Sequence, residues 1–325
     1  MIQAGIYGYG NLGRGVELAL QAAPDFVPAA VFTRRPGQVH SLTPGLPVLH
    51  ENALGKAAPH LDVVILCGSS ADDLPVQTPA CAALTSFVDS FDDHHRIPAH
   101  YKRVDRAACL AGTVGIICAG WDPGLFSTAR CIAGAVFPTG HTATFWGPGL
   151  SQGHSAAIRR LPGVLDARQY TVPLPGALDQ ARGEAAALPD TQRHRRICYV
   201  ALQPGADPAA IEASIRQMPG YFAGYETEIH FISSAQLAEE HAGLSHAGRI
   251  VSTGRTGQAG EHRHQAECSL QLDSNPEFTG SVLVAYARAA VRLYRRGQRG
   301  CRTPLDIPPA LLHPDDGAQL RADLL

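Results

Sequence analysis

The chain has 325 residues, with 27 basic and 29 acidic side chains, a formal net charge of −2 and 45% hydrophobic residues. This length predicts about two domains with well-buried cores. A disordered tail and a small scaffold held by cross-links are therefore excluded as classes of protein. The near-neutral charge, without a basic stripe, argues against nucleic-acid or anionic-membrane partners, because both need clustered Lys and Arg. We therefore expect a small-molecule ligand.

Three further classes of protein are disfavoured by composition. Lysine occurs only at Lys56 and Lys102, so Schiff-base chemistry has few candidates. The eight cysteines form no CxxC pair, and no metal site is predicted. The sequence has no signal-peptide pattern at its start and no apolar run of about 18 residues, so the expected location is the cytoplasm.

The first part of the chain alternates between short apolar runs and helical or loop segments. The runs lie at residues 2–7, 26–33, 63–67, 86–89 and 114–119, and helical spacing follows the first run at residues 12–20. Strands that alternate with helices predict a doubly wound parallel sheet of the Rossmann type. The fold class is therefore α/β in this part.

A glycine turn directly follows the first predicted strand and reads Gly8-Tyr9-Gly10-Asn11-Leu12-Gly13. In a GxGxxG turn the first glycine allows the tight turn, the second lets the backbone approach a pyrophosphate, and the third allows close helix packing. The helix N-terminus then faces the phosphates. The position of this turn after a strand indicates dinucleotide binding.

The end of the second predicted strand indicates which dinucleotide is bound. It reads Thr33-Arg34-Arg35 and lacks the carboxylate that would accept a hydrogen bond from a ribose 2′-hydroxyl. Two guanidinium groups and a hydroxyl suit a 2′-phosphate, so the sequence predicts NADP rather than NAD. The alternative is that both arginines are solvated surface charges. Further cofactor contacts are predicted at Gly68, Ser69, Ser70, Ala71, Pro123 and Gly124.

Aspartates follow two of the later strands. Asp92 lies in the segment 89–93, and Asp122 lies in the segment 119–124 beside Trp121. Because ligands bind at the carboxyl ends of strands in open α/β sheets, these carboxylates suit recognition of a cationic amino group. The alternative for each aspartate is a helix N-cap or turn residue.

The pattern changes after about residue 123. Apolar or alternating runs at 142–146, 166–172, 195–202, 227–232, 249–252 and 262–272 predict consecutive strands, with a helix at 208–218. They predict a mostly antiparallel sheet in a second, α+β domain. A helix at 276–296 could return to the first domain. The predicted domains are thus residues 1–123 plus about 276–325, and about 124–275.

A glycine-rich segment with an indole, residues 144–155, is predicted as a loop that closes over a small polar ligand. The alternative is a surface turn with one packed tryptophan. Its His154-Ser155 pair lacks the GxSxG spacing and the strand-to-helix context of a nucleophile elbow, so hydrolase chemistry is disfavoured.

These motifs together resemble the meso-diaminopimelate dehydrogenase family. The resemblance runs essentially end to end, and residues 145–155 are more diagnostic than the dinucleotide turn. The motifs that carry it are residues 8–14, 33–35, 120–124, 145–155, 218–219 and 273–276.

The resemblance implies a homodimeric enzyme that uses NADP for the reversible oxidative deamination of the D-centre of meso-2,6-diaminopimelate. The products are L-2-amino-6-oxoheptanedioate, ammonia and NADPH. It places the reacting amino group and its carboxylate near Asp92, Trp121, Asp122, Trp146, Gln152 and Gly153. It places the distal L-centre near Thr171, Arg196, His246 and Asn275.

Elementary chemistry agrees with these implied roles. The amine must be neutral when hydride leaves its carbon, so a proton acceptor is needed, and Asp122 and Asp92 are the candidates. A guanidinium at Arg196 suits a bidentate grip on the far carboxylate. Composition alone leaves Arg195 equally available, and His246 could be a turn residue.

Three positions depart from the family pattern: Ala156 after Ser155, Cys118-Ala119 before Gly120, and a His-rich segment at 258–265. Such changes could widen the pocket or shift the substrate range. The alternative functions are a broad-range D-amino-acid dehydrogenase, a homoserine or aspartate-semialdehyde dehydrogenase, which would not explain residues 145–155, and a non-catalytic NADP-binding sensor. The last has no need for an acid pair beside a nicotinamide.

Overall fold

A computed structural model describes residues 1–137, 139–183 and 188–325. The chain divides into two compact units. Unit 1 comprises Met1–Thr128 and Pro276–Leu325, and unit 2 comprises Ala129–Asn275.

The strands of the described residues are, in chain order, β1 (Ile2–Tyr7), β2 (Phe26–Thr33), β3 (Val48–His50), β4 (Val63–Leu66), β5 (Phe87–Asp89), β6 (Val114–Ile116), β7 (His141–Trp146), β8 (Gly149–Leu150), β9 (Val164–Pro173), β10 (His194–Leu202), β11 (Glu226–Phe231), β12 (His246–Thr256), β13 (His262–Leu272) and β14 (Gly300–Arg302).

The α-helices of the same residues are α1 (Asn11–Ala22), α2 (Leu54–Ala57), α3 (Leu74–Ala82), α4 (Ile97–Ala111), α5 (Leu125–Val136), α6 (Gln152–Arg159), α7 (Pro175–Arg182), α8 (Asp190–Arg193), α9 (Pro208–Arg216), α10 (Ser234–Glu240), α11 (Asn275–Arg295) and α12 (Gly317–Leu324). None of the described helices is both long enough and apolar enough to span a membrane.

Unit 1 contains a seven-stranded sheet in the order β14-β6-β5-β4-β1-β2-β3. Every neighbouring pair in it is parallel, which confirms the predicted Rossmann-type sheet. The five predicted strands form with small changes at their ends. The short edge strands β3 and β14 were not predicted, because three residues carry too weak an apolar pattern.

Helices cover both faces of this sheet, and the strand period distributes the core between them. Val63 and Ile65 of β4 pack on one face, whereas Val64 and Leu66 pack on the other. The predicted helix at 276–296 forms as α11, and its Leu283 lies in the first of these two core clusters.

Unit 2 contains two sheets, ordered β11-β10-β9-β8 and β13-β12-β7. All pairs are antiparallel except β10 with β11. The predicted antiparallel character is confirmed, but the expectation of a single sheet was wrong. The chain leaves β7 through Gly147 at φ +96° and then pairs with β9, so the glycine redirects one run between two sheets.

Candidate active site

The carboxyl edge of the parallel sheet carries most of the predicted residues of unit 1. The chain runs from β1 outward through β2 and β3 on one side, and through β4, β5 and β6 on the other. The order therefore reverses between β1 and β4, and such a switch point is where open α/β sheets bind ligands. The loops after β1, β2, β4, β5 and β6 all lie along this edge.

The three glycines of the turn after β1 have three different surroundings. Gly8 adopts φ +93° and lies against the backbone of Cys67 and Gly68. A Cβ at Gly13 would overlap the Gly8 carbonyl oxygen, whereas a Cβ at Gly10 would meet no atom within 4 Å. Tyr9, Asn11 and Leu12 complete the turn and begin α1, whose first turn has no acidic side chain. The edge therefore fits a pyrophosphate.

The end of β2 carries the three predicted residues of the 2′-phosphate site. Thr33 is buried, and its Oγ1 accepts a hydrogen bond from the Arg35 backbone N–H at 3.3 Å. Arg34 is exposed and its guanidinium lies 3.1 Å from the Asp73 carboxylate. Arg35 is also exposed, and its guanidinium has no hydrogen bond or ion pair among the described residues.

The loop after β4 connects the predicted cofactor residues to Asp92. Gly68, Ser69, Ser70 and Ala71 precede α3, and the Ser69 N–H donates to Asp73 Oδ2 at 3.0 Å. The Ser70 hydroxyl oxygen accepts a hydrogen bond from the Asp92 backbone N–H at 3.0 Å. The Asp92 side chain is accessible to solvent, yet partial desolvation by surrounding atoms raises the pKa of its carboxyl.

The segment after β6 forms a tight turn around Trp121 and Asp122. Trp121 is buried and packs edge-on against Phe126, with ring centroids 5.4 Å apart. Gly124 adopts φ +133°, and a Cβ there would overlap the Gly120 carbonyl oxygen. Asp122 is half-buried, and the peptide bond between it and the buried Pro123 is cis.

Thr171 and Arg196 of unit 2 are neighbours on adjacent strands, β9 and β10. Arg196 Nη1 donates to Thr171 Oγ1, and the guanidinium carbon lies 4.1 Å from the centre of the Tyr225 ring. Burial lowers the pKa of this guanidinium, and its Nε has no hydrogen-bond partner in the described part of the chain. Arg195 points to the opposite face of β10 and lies 3.9 Å from Glu228.

Trp146, at the end of β7, is held by His194. The Trp146 backbone N–H donates to His194 Nε2 at 2.9 Å, and the two rings stack with centroids 5.3 Å apart. Burial and the charges of Arg196 and Arg193 lower the pKa of His194 to about 3. The imidazole is thus a neutral acceptor at ordinary pH.

The predicted loop at residues 144–155 is in fact strand, turn, short strand and helix, so the expectation of a loop was wrong. β8 runs directly into α6, whose N-cap is Ser151, and Gln152 and Gly153 are exposed in its first turn. The expected absence of a strand-to-helix context was also wrong. Ser155 nevertheless is no nucleophile, because its buried hydroxyl donates to the Ser151 carbonyl and accepts from the Gln169 N–H.

His246 and Asn275 lie at neighbouring points of the same unit. His246 begins β12 and lies so close to Gly149 that a Cβ added at that glycine would overlap the imidazole. The His246 side chain is buried, and burial lowers the pKa of its imidazole. The Asn275 backbone N–H donates to the carbonyl of Leu244, two residues before His246. The His-rich segment 258–265 lies at the other end of the β12–β13 hairpin, about 30 Å along the strand at the usual rise per residue.

Sequence reasoning missed several residues beside these groups. His194 shares a face of β10 with Arg196, two residues on, and this strand period was the available signal. Gln169 is fully buried beside Thr171, and its amide Oε1 has no partner among described atoms. No cluster of three or more His, Cys, Asp or Glu side chains suited to a metal ion occurs within the described ranges.

The parallel sheet, the glycine turn at its switch point and the polar groups along its carboxyl edge define a Rossmann-type oxidoreductase. Comparison with known proteins then specifies the family. The profile of the Diaminopimelic acid dehydrogenase C-terminal domain matches residues 120–274. The meso-diaminopimelate D-dehydrogenase of Ureibacillus thermosphaericus is 48% identical over 325 residues, covering 100% of this chain and 99% of the relative.

Two solved structures agree with this similarity. A C. glutamicum DAP dehydrogenase in complex with DAP has a TM-score of 0.94 and 44% identity, with 100% of this chain and 99% of that chain covered. An engineered D-amino acid dehydrogenase bound to NADP+ has a TM-score of 0.91 and 42% identity at the same coverage. The chain belongs to the meso-diaminopimelate D-dehydrogenase family.

Proposed function

We propose that this protein catalyses the NADP-dependent reversible oxidative deamination of the D-centre of meso-2,6-diaminopimelate. The products are L-2-amino-6-oxoheptanedioate, ammonia and NADPH. Curated relatives at 45% to 48% identity are named meso-diaminopimelate D-dehydrogenases, and an engineered D-amino acid dehydrogenase of the same fold has been solved with NADP+ bound. The alternatives are less well supported. They are the broad-range D-amino-acid dehydrogenase, the homoserine or aspartate-semialdehyde dehydrogenase and the non-catalytic NADP-binding sensor.

The single observation that carries the proposal is the environment of Arg196. Its guanidinium is buried and has no carboxylate partner in the described part of the chain. A buried cation without a counter-ion is costly, so an anionic ligand group is the natural complement. The far carboxylate of a diacid provides that group, whereas a D-amino acid with an apolar side chain does not. His246, Thr171 and Asn275 would complete hydrogen bonds to the same amino-acid head.

The cofactor residues have a matching rationale. The turn at Gly8, Gly10 and Gly13 and the N-terminus of α1 would hold the pyrophosphate, and Arg34 and Arg35 would hold the 2′-phosphate. When bound, NADP accepts a hydride from the reacting carbon.

Two aspartates of the chain would accept the proton of the substrate ammonium and stabilise the positive charge of the imine. Asp122 accepts a proton from the substrate ammonium so that the amine can release electron density as the hydride leaves. Asp92, whose pKa is raised by its surroundings, is the second acceptor candidate, and both carboxylates favour the cationic imine that forms on the substrate. Trp121, Trp146, Gln152 and Gly153 would orient the reacting end.

The homodimer and the cytoplasmic location expected from sequence stay predictions. Size-exclusion chromatography with light scattering distinguishes one copy from two. Fractionation of the producing cells tests the location.

The activity itself is tested by NADP reduction with meso-, LL- and DD-diaminopimelate in parallel reactions. We expect strong preference for the meso isomer, because the two heads of the substrate must have opposite configurations. Higher activity on D-alanine or D-phenylalanine than on the meso isomer would support the broad-range alternative. No activity on any amino acid, with intact NADP binding, would support the sensor.

A further inference from the structure

Asp89 is a fully buried carboxylate at the end of β5 that the proposed mechanism does not use. It accepts four hydrogen bonds. Its Oδ2 accepts from Thr78 Oγ1 and from His100 Nε2, each at 2.8 Å. Its Oδ1 accepts from the backbone N–H groups of Phe91 at 3.1 Å and Cys118 at 2.9 Å. One side chain thus connects two helices to two loops at the carboxyl edge.

The two backbone donors belong to the segments that carry the candidate catalytic aspartates. Phe91 immediately precedes Asp92, and Cys118 lies four residues before Asp122. Cys118 adopts φ +59°, a left-handed conformation that is unfavourable for a residue with a Cβ. Such a residue needs surrounding contacts to hold it, and the Asp89 carboxylate provides one.

His100 holds the same assembly from α4. Its Nε2–H donates to Asp89, and its ring stacks on Phe91 with centroids 4.1 Å apart and planes 15° apart. Its Nδ1 is buried without a partner among the described residues. The imidazole therefore makes two contacts, one to the carboxylate and one to the residue before Asp92.

We propose that Asp89 and His100 form a positioning pair that fixes the loops bearing Asp92 and Asp122. Asp89 is the shared acceptor that sets the spacing of the two loops, and His100 orients Asp89 while it packs against Phe91. Neither residue touches the substrate in this proposal, which rests on the proposed function for the identity of the catalytic carboxylates.

The kinetic test compares Asp89→Asn, His100→Phe and His100→Gln. Asn places an amide N–H where two donors converge, and Phe keeps the ring but loses the donor, so each should lower kcat at least tenfold. The Kd for NADP should change less than threefold. Gln retains a donor and should recover a substantial part of the kcat lost in His100→Phe. Equal kcat for all three variants and the wild type would overturn the proposal.

The matched control is Arg288→Met, which breaks the ion pair between the buried Arg288 and the half-buried Asp25 elsewhere in the same unit. We expect this variant to lower the melting temperature with kcat kept within threefold, measured well below that temperature. If Arg288→Met lowers kcat as much as Asp89→Asn does, at similar melting temperatures, general loss of stability explains the effect and the positioning role is wrong.

A second readout does not depend on activity. The chain has two tryptophans, so Trp146→Phe leaves Trp121 as the only one. In that background, His100→Phe and Asp89→Asn should increase acrylamide quenching of Trp121 at least twofold and shift its emission to the red. If the wild type fails to oxidise meso-diaminopimelate, the proposed function is wrong, yet this experiment still tests the pair. Unchanged quenching in folded variants would overturn the pair.

Discussion

Among single residues, Arg196 has the clearest consequence for substrate choice. Replacing it with Met removes the guanidinium and keeps an apolar chain of similar length. A lost charge-assisted pair is worth about 1.5–3 kcal/mol, so we expect KM for meso-diaminopimelate to rise roughly tenfold to a hundredfold. Initial rates of NADP reduction over a range of substrate concentrations measure this.

Arg195→Met is the control for Arg196→Met, because Arg195 lies on the other face of the same strand and is 39% exposed at its side chain. We expect its KM to stay within twofold of the wild type. A wild-type KM in Arg196→Met would remove this arginine from the substrate site.

Asp122 should act on turnover rather than on cofactor binding. In Asp122→Asn the proton acceptor is lost while the shape is kept, and general-base groups contribute typically a hundredfold or more to rate. We expect kcat to fall by about that factor, with the Kd for NADP nearly unchanged by fluorescence titration. Asp93→Asn, the same charge change at a neighbouring exposed ion pair with Arg96, should leave kcat within twofold. An unaltered kcat in Asp122→Asn would transfer the role to another group.

The sequence does not show which of two neighbouring arginines on β10 points into the protein. Side chains on both faces of this strand include apolar and charged residues, so the pattern does not tell whether Arg195 or Arg196 points inward. What separates them is the packing on each face of the sheet, which buries Arg196 and leaves Arg195 partly exposed. The role of Asp89 is also not predictable from sequence. An aspartate at the end of a strand does not indicate that four hydrogen-bond donors surround its carboxylate in the folded protein.

At the scale of elements, apolar runs of four or more residues predicted the strands of unit 1 well. The shorter strands β3, β8 and β14 were not predicted. They form by pairing with a neighbouring strand, and their two or three residues are too few to show an apolar pattern in the sequence. The helix α6 escaped because glycines and polar residues at 147–154 indicate a loop. Its Ser151 N-cap, whose hydroxyl accepts from the His154 N–H, was the missed signal.

The β7 end should make the protein sensitive to acid through His194. Its pKa is about 3 when folded and 6.5 in the unfolded chain, so the unfolded state binds the extra proton between these values. Stability contributed by this group is complete above pH 6.5 and falls as pH decreases toward 3. This group should account for a loss of about 2 kcal/mol between pH 7 and pH 5. It is measured as the difference between the wild type and His194→Gln in urea unfolding at the two pH values, because buried His154, whose pKa is also lowered to about 3, contributes a loss of its own.

His194→Gln removes this titration and should reduce the loss of stability between pH 7 and pH 5. His40→Gln is the control, because His40 is exposed on unit 1. If both variants lose as much stability on acidification as the wild type, His194 is not the source of acid sensitivity.

At the scale of the whole molecule, the predicted cofactor residues all lie in unit 1, whereas the predicted contacts to the distal amino-acid head lie in unit 2. Each unit has its own sheets and its own core clusters. The predicted contacts are thus divided between the two units. Length and composition predicted two domains, but the distribution of residues between them depended on the return of α11 to unit 1, which a helical pattern alone does not specify.

This division predicts how cofactor binding distributes its stabilisation. At a concentration a hundred times its Kd, NADP should stabilise the folded protein by about 2.7 kcal/mol. Amide hydrogen exchange should slow most in β1, α1 and α11 and least in β13.

NAD at the same concentration should stabilise the protein less than NADP does, because NAD has no 2′-phosphate to contact Arg35. Arg35→Ala should reduce the preference for NADP over NAD about tenfold, whereas Lys102→Ala, an equal loss of charge at an exposed position of α4, should not. Equal protection by both dinucleotides in the wild type would contradict the role of the arginines at the end of β2.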